Sequence, residues 1–175
     1  NLIGGIVLGY IWQILLNGIL SALGKPLLAL NATYGFWGLI ILMCWQQIGY
    51  MMIIYIAGLQ NVPTDLIEAA RIDGATSRQI LRNVTIPMVM PSITICTFLT
   101  LTNSFKLFDQ NLSLTAGEPA KQSMMLAYNI YDTFYARSGP QWKGIGQAKA
   151  VVFFLFVVVI SLLQLHFTRS KEVQQ

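Results

Sequence analysis

Charged side chains are scarce in this sequence. Asp, Glu, Lys and Arg make up 10% of its 175 residues, whereas soluble domains average about 25%. Apolar residues make up 55%. So few charges cannot cover the surface of a water-soluble domain of this size, and the composition therefore favours a protein that resides in a membrane.

Cysteine and histidine are also rare, which argues against two kinds of site. The two cysteines, Cys44 and Cys96, lie in apolar runs, where we expect them to pack as small apolar side chains without a disulfide framework. His166 has no second His or Cys near it, so we predict no metal site. No nucleophile and base stand together either, and we expect no catalytic residue and no cofactor.

Long uncharged runs dominate the sequence instead. Residues 26–64, 84–105 and 150–168 contain no Asp, Glu, Lys or Arg, and the chain opens with another such run at 1–23. Each run is long enough for the roughly 17–25 residues that a spanning helix needs, or nearly so. Spanning helices are therefore predicted near 2–17, 35–60, 86–107 and 149–168.

The opening run is interpreted as a spanning helix and not as a secretory signal peptide. It has no starting Met, no basic segment and no evident small-residue cleavage site. We therefore expect a chain whose front end is missing. Gly5 and Gly9 stand at GxxxG spacing, which permits close helix contact in lipid, although glycine is common in membrane helices in any case.

Two prolines mark the start of the third run, in the sequence IPMVMPS. Pro87 fits the first turn of a helix, where its missing N–H removes no helical hydrogen bond. Pro91 follows one turn later, so a kink or a loosened turn is predicted there.

A polar stretch, 109–146, separates the third run from the fourth. Within it, apolar and aromatic residues recur at helical spacing, with Asn129 and Asp132 on the opposite side: Met124, Ala127, Tyr128, Tyr131, Phe134 and Tyr135. The pattern predicts one amphipathic helix that lies at the membrane interface without crossing it. Lys149, at the start of the last run, is expected to extend its ammonium group to the outer interface.

One compact charged segment, 64–83, interrupts the apolar runs. It predicts two short helices joined at Gly74, with Thr64 or Asp65 capping the first and Thr76 or Ser77 capping the second. One face of the first helix carries small residues and a carboxylate: Leu66, Ala69, Ala70 and Asp73. From these residues alone, the segment is either a solvated loop that enforces topology or a surface for another protein.

The spacing within this segment resembles a known motif. The segment resembles the EAA motif of binding-protein-dependent ABC importer permeases. It has EAA at 68–70, three residues, Gly74, nine residues and then Val84-x-Ile86-Pro87, where the family pattern ends I-x-L-P. The sequences IDGA and LTAGEP are similar to those of the sugar permeases of the maltose-transporter type. Glu118 stands where that family usually has a second glycine, and the ending TRSKEVQQ resembles the first of two paired permeases.

The resemblance covers essentially the whole chain and implies a fold. It implies an all-α polytopic bundle in the bacterial cytoplasmic membrane, of which this chain holds about four of about six spanning helices. Residues 1–175 would form one partial transmembrane permease domain, with a cytoplasmic coupling segment at 64–83 and an extracytoplasmic interfacial helix.

Partners and activity are further expectations from the resemblance. Such permeases pair with a second permease subunit and work with cytoplasmic ATP-binding subunits and an extracytoplasmic solute-binding protein. The chain would move a sugar or oligosaccharide across the lipid bilayer without hydrolysing anything itself; it has no P-loop pattern, and no nucleic-acid partner is expected. The positions that match the ATPase-coupling motif are Glu68, Ala69, Ala70, Asp73, Gly74 and Ala75.

The resemblance also implies a substrate path along two helix faces. The positions that align with those at or near the sugar in maltose-type permeases are Gln46, Gln47, Tyr50, Thr102, Phe105, Lys106 and Asp109. Alternatives stay open for several of them. The two glutamines are equally suited to bonding neighbouring helices, and Lys106 and Asp109 are spaced to pair with each other.

Orientation is predicted from the basic residues, which favour cytoplasmic loops. The side with the charged segment and the C-terminus would hold Arg71, Arg78, Arg82, Arg169 and Lys171. The other side would hold Lys25, Lys121, Arg137 and Lys143, spread over longer loops. We therefore expect the coupling segment and the C-terminus to be cytoplasmic.

Three other functions compete with a sugar importer subunit. An ion-coupled secondary transporter would place Asp, Glu or His deep in a span, whereas the central turns of these spans lack Asp and Glu. A membrane enzyme would need a catalytic constellation. An ABC permease for amino acids or another small solute is the nearest alternative, and IDGA and the C-terminal sequence favour sugar.

Overall fold

The computed structural model describes residues 3–169, and every regular element in that part of the chain is helical. Four segments are long and apolar enough to span a membrane: Gly5–Ala22, Ala32–Gln60, Ser77–Phe105 and Pro140–Arg169. The predicted all-α, multi-pass arrangement is therefore confirmed. Lys171, which entered the orientation count, and the rest of 170–175 lie outside the described residues.

The helices follow the predicted spans with two displacements. In chain order they are α1 (Gly5–Ala22), α2 (Ala32–Gln60), α3 (Thr64–Ile72), α4 (Ser77–Ile80), α5 (Ile86–Phe105), α6 (Asp109–Leu114), α7 (Leu126–Tyr131) and α8 (Pro140–Arg169). The first span extends to Ala22 instead of ending near 17. The last begins at Pro140 instead of near 149, because the polar sequence QWKGIGQAK is helical without being apolar.

A wide helical turn precedes the two prolines of the third span. The segment Ser77–Phe105 is helical throughout, so the expectation that Pro87 occupies a first turn is wrong. A proline has no N–H for the carbonyl four residues before it. The helix accommodates this with a π turn at Leu81–Thr85, in which the Ile86 N–H donates to the Leu81 carbonyl. A loosened turn thus lies directly before Pro87, and Pro91 lies inside α5.

The described residues form two compact units, of which the first contains residues 3–47 and 103–157. Within it α1 packs closely against α6. A Cβ added at Gly5 would lie 2.8 Å from the Asp109 Cβ, and one at Gly9 would overlap the Ser113 Oγ. The GxxxG spacing therefore marks a real close contact, made with a short helix. Beside it lies an apolar core of Leu8, Leu28, Leu39, Leu42 and Leu114.

Buried polar side chains hold the loop that follows α6. The Asn111 Nδ2 donates to the Ser123 carbonyl at 2.9 Å, and the Met125 N–H donates to the Asn111 Oδ1 at 2.8 Å. Glu118 fits this loop because its φ is not left-handed, and its carboxylate accepts a hydrogen bond from the Ala120 N–H at 2.9 Å. The turn therefore forms without the second glycine of the family pattern.

The amphipathic helix of the polar stretch is shorter than predicted. α7 covers Leu126–Tyr131 and passes into one π turn, Asp132–Ala136. Its polar side faces the protein, where Lys121 forms an ion pair with the buried Asp132. Tyr135 on the aromatic side is 70% exposed. An aromatic side that is exposed while the polar side is buried suits a helix at a membrane interface.

Lys149 is bonded within the protein, a pairing that the sequence did not indicate. Its Nζ donates to the Asn129 Oδ1 and to the Thr133 Oγ1, each at 2.8 Å, and thereby ties α8 to α7 and the π turn. The two cysteines also differ from each other. Cys96 is buried as predicted, whereas Cys44 is exposed.

The second unit contains residues 48–102 and 158–169 among those described. A Cβ added at Gly58 would overlap the Ser92 Oγ, so α2 and α5 approach closely there. The Gln164 Nε2 donates to the Thr94 carbonyl at 3.5 Å, which connects α8 to α5. The charged segment that begins with α3 belongs to this unit.

Candidate functional site

The charged segment bends at Gly74 in a Schellman motif. Gly74 has a φ of +79°, the left-handed conformation that glycine adopts without strain. Its N–H donates to the Arg71 carbonyl at 3.0 Å, and the Ala75 N–H donates to the Ala70 carbonyl at 2.9 Å. These two bonds satisfy carbonyls that the end of a helix leaves open. The helix-ending turn predicted at Gly74 is confirmed.

The caps of the two short helices agree with the sequence only in part. Pro63 is the N-cap of α3 and provides no side-chain hydrogen bond, so the caps predicted at Thr64 or Asp65 are wrong. The cap predicted at Thr76 is confirmed. Its N–H donates to the Gln79 Oε1 at 2.8 Å as part of a capping box that starts α4.

The surface of α3 has few contacts with the rest of the described chain. None of its residues is buried, and Ile72 is 86% exposed. Glu68, Arg71 and Asp73 are exposed, and none of them forms an ion pair with any residue between 3 and 169. A projecting helix that mixes apolar, small and charged side chains in this way suits contact with another protein.

Ile72 is a candidate contact residue that the sequence interpretation missed. The sequence places an isoleucine in the last turn of α3, directly before Asp73 and Gly74. No residue of the described chain covers this large apolar side chain, so it can contact a partner protein beside the EAA residues. The isoleucine beside the EAA residues was the feature of the sequence that could have identified this contact residue.

The two glutamines of the predicted substrate path have different surroundings. The Gln46 Oε1 accepts a hydrogen bond from the Gln110 Nε2 at 2.9 Å, so Gln46 connects α2 to α6. Gln47 is half-buried and has no side-chain hydrogen-bond partner within the described residues. Gln46 therefore matches the packing alternative, whereas the role of Gln47 stays a prediction. Gln110 was not identified from the sequence.

The predicted second face is not formed by one helix. α5 ends at Phe105, and Asp109 is the first residue of α6. The Phe105 ring packs edge-on against Phe153 and Phe156 of α8, at centroid distances of 6.1 and 6.0 Å. Phe105 therefore has a packing role, and the helical spacing assumed between it and Asp109 is wrong.

The remaining path residues vary in exposure and pairing. The Thr102 Oγ1 donates to the Phe98 carbonyl of its own helix at 2.9 Å, and Tyr50 is 46% exposed. Lys106 is exposed and does not pair with Asp109, since the one ion pair among residues 3–169 lies elsewhere.

We expect Gln46→Leu and Gln110→Leu each to destabilise the protein by removing the same interhelical hydrogen bond. Such bonds in membrane proteins contribute about 0.6 kcal/mol on average, and the double variant should be little worse than either single one. Thermal unfolding of the solubilised protein measures this. Gln47→Leu is the matched control and should not lower the unfolding midpoint. Additive losses from Gln46→Leu and Gln110→Leu would contradict the pairing.

Comparison with known families agrees with this arrangement. Residues 4–173 match the family model described as the binding-protein-dependent transport system inner membrane component. The match includes all eight helices described above.

Individual relatives carry transport names. The chain is 48% identical to the probable starch degradation products transport system permease protein AmyD of Thermoanaerobacterium thermosulfurigenes, over 99% of this chain and 61% of that protein. It is 34% identical to a putative ABC transporter permease protein of Caldicellulosiruptor sp., over 78% of this chain and 96% of that protein. It is 33% identical to the multiple sugar-binding transport system permease protein MsmF of Streptococcus mutans, over 77% of this chain and 45% of that protein. The chain thus spans less than two thirds of AmyD and MsmF.

Proposed function

Because the chain belongs to the family of binding-protein-dependent transport system inner membrane components, we propose that it is a permease subunit of an ATP-driven importer for a sugar or oligosaccharide. Its spanning helices form part of the path through the bilayer. The segment around α3 receives the movement of a separate cytoplasmic ATPase, and the chain itself hydrolyses nothing.

The exposed α3 with its Schellman bend is the observation that carries this proposal. The motif EAA with Gly74 at the family spacing falls on a helix with no buried residue, which ends where Gly74 has a φ of +79°. A rigid, projecting helix end can transmit a push, whereas a solvated loop that only enforces topology needs neither the capping box nor the Schellman bonds. The coupling residues proposed are Glu68, Ala69, Ala70, Ile72, Asp73, Gly74 and Ala75.

The substrate class is proposed from the relatives. AmyD and MsmF are named for starch degradation products and for multiple sugars, so malto-oligosaccharides are the first substrates to test. Gln47 and Tyr50 are the strongest candidates for contact with the sugar, because neither side chain is committed to a hydrogen bond within the described residues. Thr102, Lys106 and Asp109 remain predicted path residues.

The proposed partners follow from the same premise. A second permease subunit completes the path, cytoplasmic ATP-binding subunits contact α3, and an extracytoplasmic solute-binding protein delivers the sugar. The charged segment and the C-terminus are then cytoplasmic, and α7 lies at the outer interface.

An ABC permease for another small solute is the second candidate, because the EAA segment supports coupling to an ATPase but does not identify the cargo. Uptake of radiolabelled maltotriose into proteoliposomes that contain the complete transporter tests the proposal. Uptake should require ATP and the binding protein and should persist when ion gradients are collapsed. Uptake that follows an ion gradient without ATP would contradict the importer class, and ATPase activity stimulated only by a non-sugar solute would contradict the sugar.

We expect Glu68→Lys to abolish uptake by weakening the contact between α3 and the ATPase. Glu68 is exposed and unpaired within the described residues, so the change should leave insertion intact. ATPase co-purification and maltotriose uptake are measured together. Glu118→Lys makes the same charge change at an exposed glutamate of another loop and should leave co-purification unchanged. Normal co-purification and uptake with Glu68→Lys would refute the coupling role.

A further inference from the structure

A groove of about 600 Å³ lies between α7 and the first half of α8, both within the first unit. Its wall is almost entirely apolar and includes Leu126 and Ile130 of α7 and Val152 and Phe156 of α8. Asn129 and Lys149 are the polar residues among those that line it. A wall of this kind does not suit a sugar, which needs several hydrogen-bonding groups.

The charge of Lys149 is only partly satisfied by the protein. Its ammonium group can donate three hydrogen bonds, and two of them go to the neutral oxygens of Asn129 and Thr133, each at 2.8 Å. No carboxylate pairs with it, because the single ion pair formed within 3–169 joins Lys121 and Asp132. A half-buried cation with two neutral partners leaves a place for an anion beside it.

The position of Lys149 along α8 indicates which anion fits. Lys149 directly precedes the uncharged run 150–168, so it stands at the edge of the apolar span. The lining residues Val152, Phe153 and Phe156 follow on the same side of the helix and reach about 10 Å further into the span at 1.5 Å per residue. The groove therefore presents one cation at interface depth and an apolar wall below it.

We propose that this groove binds one anionic phospholipid. The phosphate contacts the Lys149 ammonium group, and an acyl chain lies along Val152, Phe153 and Phe156. A free phosphate ion would leave the apolar wall uncovered, whereas the lipid covers both the charge and the wall. Bound in this way, the lipid fastens α7 to α8 in addition to the two hydrogen bonds that Lys149 makes. This site is separate from the residues proposed for sugar and for the ATPase.

The test uses the complete transporter, assembled with its partner subunits and exchanged into nanodiscs that contain equal amounts of phosphatidylglycerol and phosphatidylethanolamine. After delipidation in mild detergent, native mass spectrometry counts the lipids that stay bound. The wild type should retain one phosphatidylglycerol. Lys149→Met should lower its retention about fivefold, the effect expected for one basic residue beside an anionic headgroup, and Lys149→Arg should restore it.

Two matched pairs separate the groove from general effects. Val152→Trp fills the groove and should displace the lipid, whereas Val151→Trp, at an exposed neighbour outside the lining, should not. Lys143→Met removes an exposed lysine of the same helix and should leave retention unchanged. Equal retention by the wild type and Lys149→Met would overturn the proposal, as would equal retention of both phospholipids. A groove found closed by a partner subunit, with no lipid in the wild type, would overturn it too.

Discussion

Gly74→Pro is expected to abolish uptake and weaken ATPase co-purification while the protein still inserts into the membrane. Proline fixes φ near −65°, whereas this position has φ +79°, and it removes the N–H that donates to the Arg71 carbonyl. A mismatch of about 3 kcal/mol or more would depopulate the native helix end by about a hundredfold. Sugar uptake and ATPase co-purification, measured on the same membranes, report the result.

Gly24→Pro provides an unusually close control for that variant. Gly24 has φ +64° and ends α1 with the same bonds, from its N–H to the Ser21 carbonyl and from the Lys25 N–H to the Leu20 carbonyl. Both glycines lie in open space. Gly24→Pro therefore imposes the same backbone conflict away from α3 and should leave ATPase co-purification intact. Equal losses of co-purification from both variants would mean that Gly74 acts through general stability, and the coupling assignment would fail.

Gly9→Leu is expected to destabilise the protein strongly. A Cβ at Gly9 would overlap the Ser113 Oγ and lie 3.6 Å from the Gln110 carbonyl oxygen, so α1 would have to move away from α6. Overpacking against a buried residue costs about 1–3 kcal/mol, and more where backbone must shift. The amount of monodisperse protein and its thermal unfolding midpoint should both fall.

Gly18→Leu is the control on the same helix. No atom lies within 4 Å of a Cβ added at Gly18, so the leucine would be exposed and the unfolding midpoint should stay near that of the wild type. Gly9→Ser, which adds a smaller side chain, should give an intermediate loss. An unchanged midpoint with Gly9→Leu would contradict the close contact of α1 with α6.

Much of the fold could be predicted because its signals are local. A run without charges that is long enough to cross a bilayer has to become a helix, since lipid offers no partner for backbone N–H and carbonyl groups. The left-handed turn at Gly74 could also be predicted from neighbouring residues, because Gly74 stands directly before a capped helix. Both inferences need only neighbouring residues.

The sequence interpretation was incomplete where a residue's role depends on a distant partner. Lys149 was expected at the edge of the last span, but its partners Asn129 and Thr133, brought beside it by the fold, could not be predicted. Likewise, nothing in the sequence indicated that the Phe105 ring packs on Phe153. Helical periodicity describes one helix at a time and does not indicate which other helix packs against it.

The sequence by itself determined that this protein spans a membrane, that its spans are helices, and that a glycine-ended helix with an EAA motif interrupts them. These features follow from hydrophobic length, charge and backbone conformation, which are local properties. Only the tertiary structure decided that Gly5 and Gly9 contact α6, that Gln46 bonds to Gln110, and that Lys149 is held beside an apolar groove. Each of these contacts joins residues far apart in the chain. Such contacts depend on how the helices pack, which local sequence patterns do not specify.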